Sequence, residues 1–116
     1  KLYGCEYINN TMEAISLIKK INKPYFKLNL DLGTIIENKE NISEIISKNS
    51  NLIKHVQIST PYLRSISRYK SKIKELIYYL YKFKYKGHVS IEMLEKKNNN
   101  IKIVSKSIGI IKLMFK

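Results

Sequence analysis

The feature that most restricts this chain is a strand-like run followed by a helix-like run, repeated four times along 116 residues. Leu2 to Tyr7 reads as the first strand. Thr11 then sits where an N-cap would, and Met12, Ile15, Leu17 and Ile18 form an apolar helical stripe down to Asn22. Pro24 breaks that helix, and Tyr25 to Leu32 alternates as a second strand. Asn41 with Glu44 three residues on resembles a capping box, opening a short helix through Ile45 and Ile46. Leu52 to Ser59 is the third strand, closed by Thr60 and Pro61. Ile73, Leu76, Ile77 and Leu80 mark the strongest helix, which ends near Lys86 and Gly87. His88 to Leu94 is the fourth strand. After the tract Asn98 to Asn100, a last helix carries Ile103, Ile108, Ile111 and Leu113.

Such a repeat predicts an α/β fold with parallel strands joined by right-handed crossovers. No glycine-rich loop follows any strand, which disfavours a dinucleotide-binding or P-loop fold. Parallel strands covered by helices on both sides should be apolar on both faces. These have one polar face, as a barrel wall does when helices lie outside and a functional mouth lies inside.

Side chains two apart on a strand share a face. The polar faces are Gly4 and Glu6, then Lys27, Asn29 and Asp31, then His55, Gln57 and Ser59, then Ser90 and Glu92. Each strand thus brings one oxygen donor to its C-terminal end: Glu6, Asp31, Gln57 and Glu92. In a parallel sheet all four ends lie on one side, where α/β active sites are found. Three carboxylates and an amide converging there repel unless they share a cation. The all-oxygen set favours Mg2+ or Mn2+ over Zn2+. The competing reading, residue by residue, is a strand-end group satisfied by backbone donors or Lys.

The formal charge of +13 invites a nucleic-acid reading. Its distribution argues otherwise. Lys is scattered in singles and pairs, densest from Lys70 to Lys86, and Arg64 and Arg68 are the only arginines. Lys, Ile and Asn make up 51 of the 116 residues, the mark of a background bias rather than of a polyanion groove. Nucleic acid is therefore not an expected partner. No apolar run reaches the ~18–20 residues of a membrane span. The solitary Cys5 excludes a disulfide framework, and a reducing, cytoplasmic setting is expected. The start at Lys1 has no signal-peptide layout and suggests a processed or truncated chain.

The runs Leu28-Asn-Leu-Asp31-Leu-Gly33, Ile53-Lys-His55-Val-Gln57-Ile-Ser59 and Tyr85-Lys-Gly87-His-Val-Ser90-Ile-Glu92-Met93 resemble the sugar phosphate isomerase/epimerase family. This is the xylose-isomerase-like TIM-barrel group that includes ketose 3-epimerases and hydroxypyruvate isomerase. The resemblance implies a (β/α)8 barrel of about 250 residues. Residues 1–116 would be its C-terminal half, about four β-α units, with the N-terminal half absent. It implies Glu6 and Glu92 as catalytic and metal-binding glutamates, Asp31 as a metal ligand, and Gln57 at the fourth ligand position. The implied activity is a divalent-metal-dependent isomerase or epimerase of a small sugar, sugar phosphate or hydroxy-keto acid. Proton transfer by Glu would pass through a metal-stabilised enediolate.

Arg64, Thr34 and His55 are the expected substrate contacts. Thr34 stands where the family's Asp-x-Gly motif is followed by His, and Thr60-Pro61-Tyr62-Leu63 replaces the usual loop after the third strand. His55 is expected to brace the barrel interior rather than to bind metal, and Arg64 reads equally as a plain surface cation in a loop. The expected partners are the missing N-terminal half or another copy of the chain, because a four-stranded sheet leaves open edges. The alternatives are a catalytically silent half-barrel fragment or paralogue, and a relative of the abasic-site endonucleases. The second is disfavoured because those enzymes use a His-rich zinc site, while this chain has only His55 and His88.

Overall fold

The computed structural model describes residue 4, residues 6–94 and residues 98–115. The elements follow in the order α1 (Thr11–Ile21), β1 (Leu28–Asp31), α2 (Leu32–Glu37), α3 (Ile42–Asn49), β2 (Ile53–Ile58), α4 (Lys70–Lys82), β3 (His88–Ile91) and α5 (Asn100–Met114). Short 3-10 turns at Ser50–Leu52, Pro61–Leu63 and Ile66–Tyr69 join the longer pieces. The strands form one parallel sheet in the order β1-β2-β3. Consecutive parallel strands separated by helices give the expected α/β architecture, that of part of a (β/α)8 barrel.

One sheet face is apolar because the strands alternate. Leu28 and Leu30 of β1 and Val56 and Ile58 of β2 are buried with Ile15 and Ile18 of α1, Ile42, Ile45 and Ile46 of α3, and Ile73, Leu76 and Leu80 of α4. The other face carries Asn29, Asp31, His55 and Gln57, all exposed or half-buried. The alternation is broken once. Leu28 pairs with Ile53 but Asn29 pairs with His55, so Lys54 is skipped in the ladder. This irregularity lets Ile53 and Val56, three apart, both enter the core.

Several boundaries differ from the sequence expectation. Of the first expected strand, Leu2, Tyr3 and Cys5 lie outside the described residues, Gly4 has a φ of 70°, and Glu6 and Tyr7 lie in a bend rather than a strand. The expected strand from Tyr25 starts at Leu28, because Lys23 to Phe26 closes a turn in which the Phe26 amide donates to the Lys23 carbonyl at 3.2 Å. The N-cap of α1 is Asn10 rather than Thr11. Its side chain accepts from the Glu13 amide at 2.8 Å, and Glu40, before α3, accepts from the Thr11 and Met12 amides at 3.2 and 3.3 Å. The cap at Asn41 is as expected, accepting from the Glu44 amide at 3.0 Å. Helix α4 stops at Lys82, before Gly87. Lys84 takes a left-handed φ of 53°, and the Phe83 and Tyr85 amides close onto the Tyr79 and Leu80 carbonyls.

Gly87 has a different task. A Cβ there would lie 2.5 Å from the Lys54 carbonyl oxygen, so glycine lets the chain entering β3 pass close to β2. The Tyr85 hydroxyl donates to the His88 carbonyl at 2.9 Å, and partial burial raises its pKa above the usual tyrosine value.

Candidate functional site

The polar ends of the three strands open onto a cavity of about 510 Å3, whose wall includes Asp31, Thr34, Gln57, Ser59 and Glu92. That size lies within the ~300–1,000 Å3 typical of small-molecule sites. Parallel pairing sets Asp31 against Gln57 and Gln57 against Ser90, so the three strand ends fall side by side. Glu92 follows β3 directly, and its amide donates to the Ile58 carbonyl at 3.1 Å, which continues the ladder by one step. The structure therefore brings together three of the four expected donors: Asp31, Gln57 and Glu92. Glu6, exposed in its bend, is not on the cavity wall.

Asp31 is the N-cap of α2. One carboxylate oxygen accepts from the Gly33 amide at 3.2 Å and from the Ser59 hydroxyl; the other accepts from the Thr34 amide at 3.3 Å and hydroxyl at 2.9 Å. Four donors on one carboxylate are what a cap with strand-end neighbours requires. The short helix α2 was not legible as a helix in the sequence. The signal was present as Asp31 followed by Thr34, three residues apart, before Ile35 and Ile36. Ser59, the last residue of the expected third strand, leaves the ladder to make this contact, and its hydroxyl also accepts from the Gly33 amide at 3.0 Å.

The close approach at Gly33 has no room for a side chain. A Cβ would stand 2.3 Å from the Ser59 hydroxyl oxygen and 3.3 Å from the Thr60 carbonyl carbon. Gly33→Ala is therefore expected to cost ~1–3 kcal/mol of stability through overpacking. Urea denaturation measures it, and a loss below ~0.5 kcal/mol, the range of ordinary surface changes, would show that the turn yields freely.

A second network crosses all three strands. The His55 ring Nδ1 lies 2.8 Å from Asn29 Oδ1, the Asn29 amide nitrogen donates to Gln57 Oε1 at 2.9 Å, and the Gln57 amide nitrogen donates to Glu92 Oε2. His55, expected at the substrate, is thus tied to Asn29 and is not on the cavity wall. Arg64 is not on that wall either; its guanidinium sits 5.1 Å from the centre of the Tyr62 ring. Thr34 is on the wall and is already bonded to Asp31. Asn29 is the participant that sequence reasoning passed over. Its place on the polar face, two residues before Asp31, was the available signal.

As a donor set, Asp31, Gln57 and Glu92 are hard oxygen ligands on one wall, which suits Mg2+ or Mn2+ in kind. Among the described residues no three His, Cys, Asp or Glu side chains gather closely enough to hold a metal by themselves, so the amide oxygen of Gln57 would have to serve. Among the described residues, too, no helix is long and apolar enough to cross a membrane.

No protein-family model and no curated protein matches the sequence. Solved structures do match. The fold is similar to that of 3-keto-D-glucoside 4-epimerase from E. coli, with a TM-score of 0.82, 16% identity, and coverage of 94% of this chain and 41% of that one. It is similar to D-allulose 3-epimerase from Methylomonas sp., with a TM-score of 0.71, 14% identity, and coverage of 97% and 41%. It is also similar to an L-ribulose 3-epimerase, with a TM-score of 0.70, 13% identity, and coverage of 96% and 40%. The chain spans about two-fifths of the length of these sugar epimerases and shares their fold over that part.

Proposed function

We propose that this chain is the C-terminal part of a sugar isomerase or epimerase that removes a proton from the carbon beside a carbonyl and returns one to its other face or to the neighbouring carbon. The observation that carries this reading is the alignment of Asp31, Gln57 and Glu92 on one cavity wall at the ends of parallel strands, in a fold shared with sugar epimerases. The name 3-keto-D-glucoside 4-epimerase places the inverted carbon next to a ketone, and the acid–base chemistry of two carboxylates suits such a carbon.

In this reading Glu92 removes the proton from the carbon beside the C=O. Glu6, which lies off the cavity wall, would return a proton to the opposite face or to the neighbouring carbon once the segment before α1 carries it to the cavity. Thr34 contacts a substrate hydroxyl from the cavity wall. A divalent ion, Mg2+ or Mn2+, would be held by Asp31, Gln57 and Glu92, and would polarise the substrate oxygens. The substrate is a small sugar, sugar phosphate or keto acid, and the remaining barrel strands come from an N-terminal half or a partner copy.

The test is to incubate the full polypeptide carrying this chain with a panel of ketoses and keto-sugars, with and without Mn2+, and to resolve the products by chromatography. Metal-dependent appearance of an epimer or isomer is expected. One observation favours a second reading, a catalytically silent half-barrel: every hydrogen bond made by the Asp31 carboxylate goes to the cap of α2 and to Ser59. Absence of any product across the panel would select it.

A further inference from the structure

The network on the polar sheet face has a direction. A primary amide offers one acceptor oxygen and a donor nitrogen, so fixing one end fixes the other. Asn29 spends its nitrogen on Gln57 Oε1 at 2.9 Å, which leaves Oδ1 facing His55 at 2.8 Å. An amide oxygen only accepts, so the His55 Nδ1 must carry the hydrogen. Gln57, with its oxygen taken by Asn29, turns its nitrogen to Glu92 Oε2. The three N–H groups then run head to tail, from His55 on β2 to Asn29 on β1, back to Gln57 on β2, and on to the Glu92 carboxylate after β3. Bonds aligned head to tail polarise one another in the same sense.

We propose that Asn29 is a positioning residue that sets this polarity. It holds Gln57 with its N–H2 on Glu92, and it holds neutral His55 as the Nδ1–H tautomer with Nε2 as the bare acceptor. The two orientations are coupled. An amide oxygen has two lone pairs, so the bond from Asn29 leaves the Gln57 oxygen able to hold a cation as well, whereas reversing the amide would give up its bond from Asn29 and its bond to Glu92 together. Asn29 thus decides which atom of Gln57 faces the cavity, although it contributes no charge. Asn29 and Glu92 are exposed, so the chain is reached without disturbing the core.

The tautomer is read directly. Long-range proton–nitrogen NMR of the 15N-labelled full polypeptide, at about pH 8 where an imidazole is neutral, distinguishes the two ring forms. His55 and His88 are told apart with His88→Gln. The expected result is the Nδ1–H form for His55 in the unaltered protein and a shift to the Nε2–H form, preferred by free imidazole, in Asn29→Leu. Asn29→Asp, which still accepts from Nδ1 but gives Gln57 no N–H, should keep the tautomer and shift the Gln57 side-chain amide signals. A His55 found as Nε2–H in the unaltered protein would overturn the proposal without any variant. So would an unchanged Nδ1–H form in a folded Asn29→Leu protein.

The kinetic consequence rests on the epimerase reading: Asn29→Leu should lower kcat about tenfold with KM little changed, as loss of an outer positioning partner does. An unchanged kcat alongside the tautomer shift would count against Glu92 as the base and leave the role of Asn29 standing.

Discussion

Glu92→Gln is expected to reduce kcat by a factor of ~10²–10⁴, the usual contribution of a positioned acid–base group, while leaving the fold intact. The asymmetry follows from the surroundings of Glu92. Its side chain is exposed and takes one hydrogen bond, from the Gln57 amide, which the oxygen of the substituted amide can still accept. Stability should therefore stay within the ~0.5 kcal/mol of an ordinary surface change. What disappears is the ability to hold a proton taken from carbon. Steady-state kinetics together with a thermal unfolding scan separates the two effects, and an active Glu92→Gln protein would remove Glu92 from the chemistry.

The second large effect lies in the core. Leu30 is fully buried at the middle of β1, between Leu28 and the start of α2, in the cluster that joins the sheet to α1, α3 and α4. Leu30→Ala removes three carbons from a site whose neighbours are held by the sheet and the helices, so the cavity left behind cannot close fully. A loss of ~2–5 kcal/mol is expected, a large share of the ~5–15 kcal/mol stability of a typical domain. Urea unfolding followed by circular dichroism measures it, and a loss under ~1 kcal/mol would mean that β1 is not the packed centre of the sheet. Because Leu30 is adjacent to Asp31, the same variant should also loosen the cap of α2.

Much of this architecture is legible in the residues. The alternation of Leu28, Asn29, Leu30 and Asp31 places Asp31 at a strand end on the polar face, and the same logic places Gln57. The stripe of Ile73, Leu76, Ile77 and Leu80 marks α4 without ambiguity, since burial at that spacing is the signature of a helix packed on one side. What was not legible depends on contacts between distant segments. Tyr25 and Phe26 alternate with Lys27 as a strand would, yet they sit in a turn that extends β-like patterning beyond the paired residues. Thr11 suits a cap in isolation, but Asn10 wins because Glu40, about a quarter of the chain away, supplies the remaining acceptors.

The site shows the same division. Residue type and spacing identify Asp31, Gln57 and Glu92 as strand-end oxygens. They do not say that Asp31 is engaged by Ser59 and Thr34, or that Gln57 offers nitrogen rather than oxygen to Glu92. Those facts depend on register between strands: Asn29 opposite His55 and Asp31 opposite Gln57. A one-residue slip would exchange the polar and apolar faces. Glu6 illustrates the limit from the other side, since a promising position in an alternating run became a bend outside the cavity wall.

The proposed chemistry has one direct signature, proton exchange at the carbon beside a carbonyl. The full polypeptide carrying this chain, supplied with Mn2+ and a panel of ketoses and keto-sugars in D2O, should introduce deuterium at that carbon of at least one sugar, detected by proton NMR, and Glu92→Gln should abolish the incorporation. If no sugar in the panel acquires deuterium, or if Glu92→Gln exchanges as fast as the unaltered protein, the strand-end carboxylates do not perform this reaction.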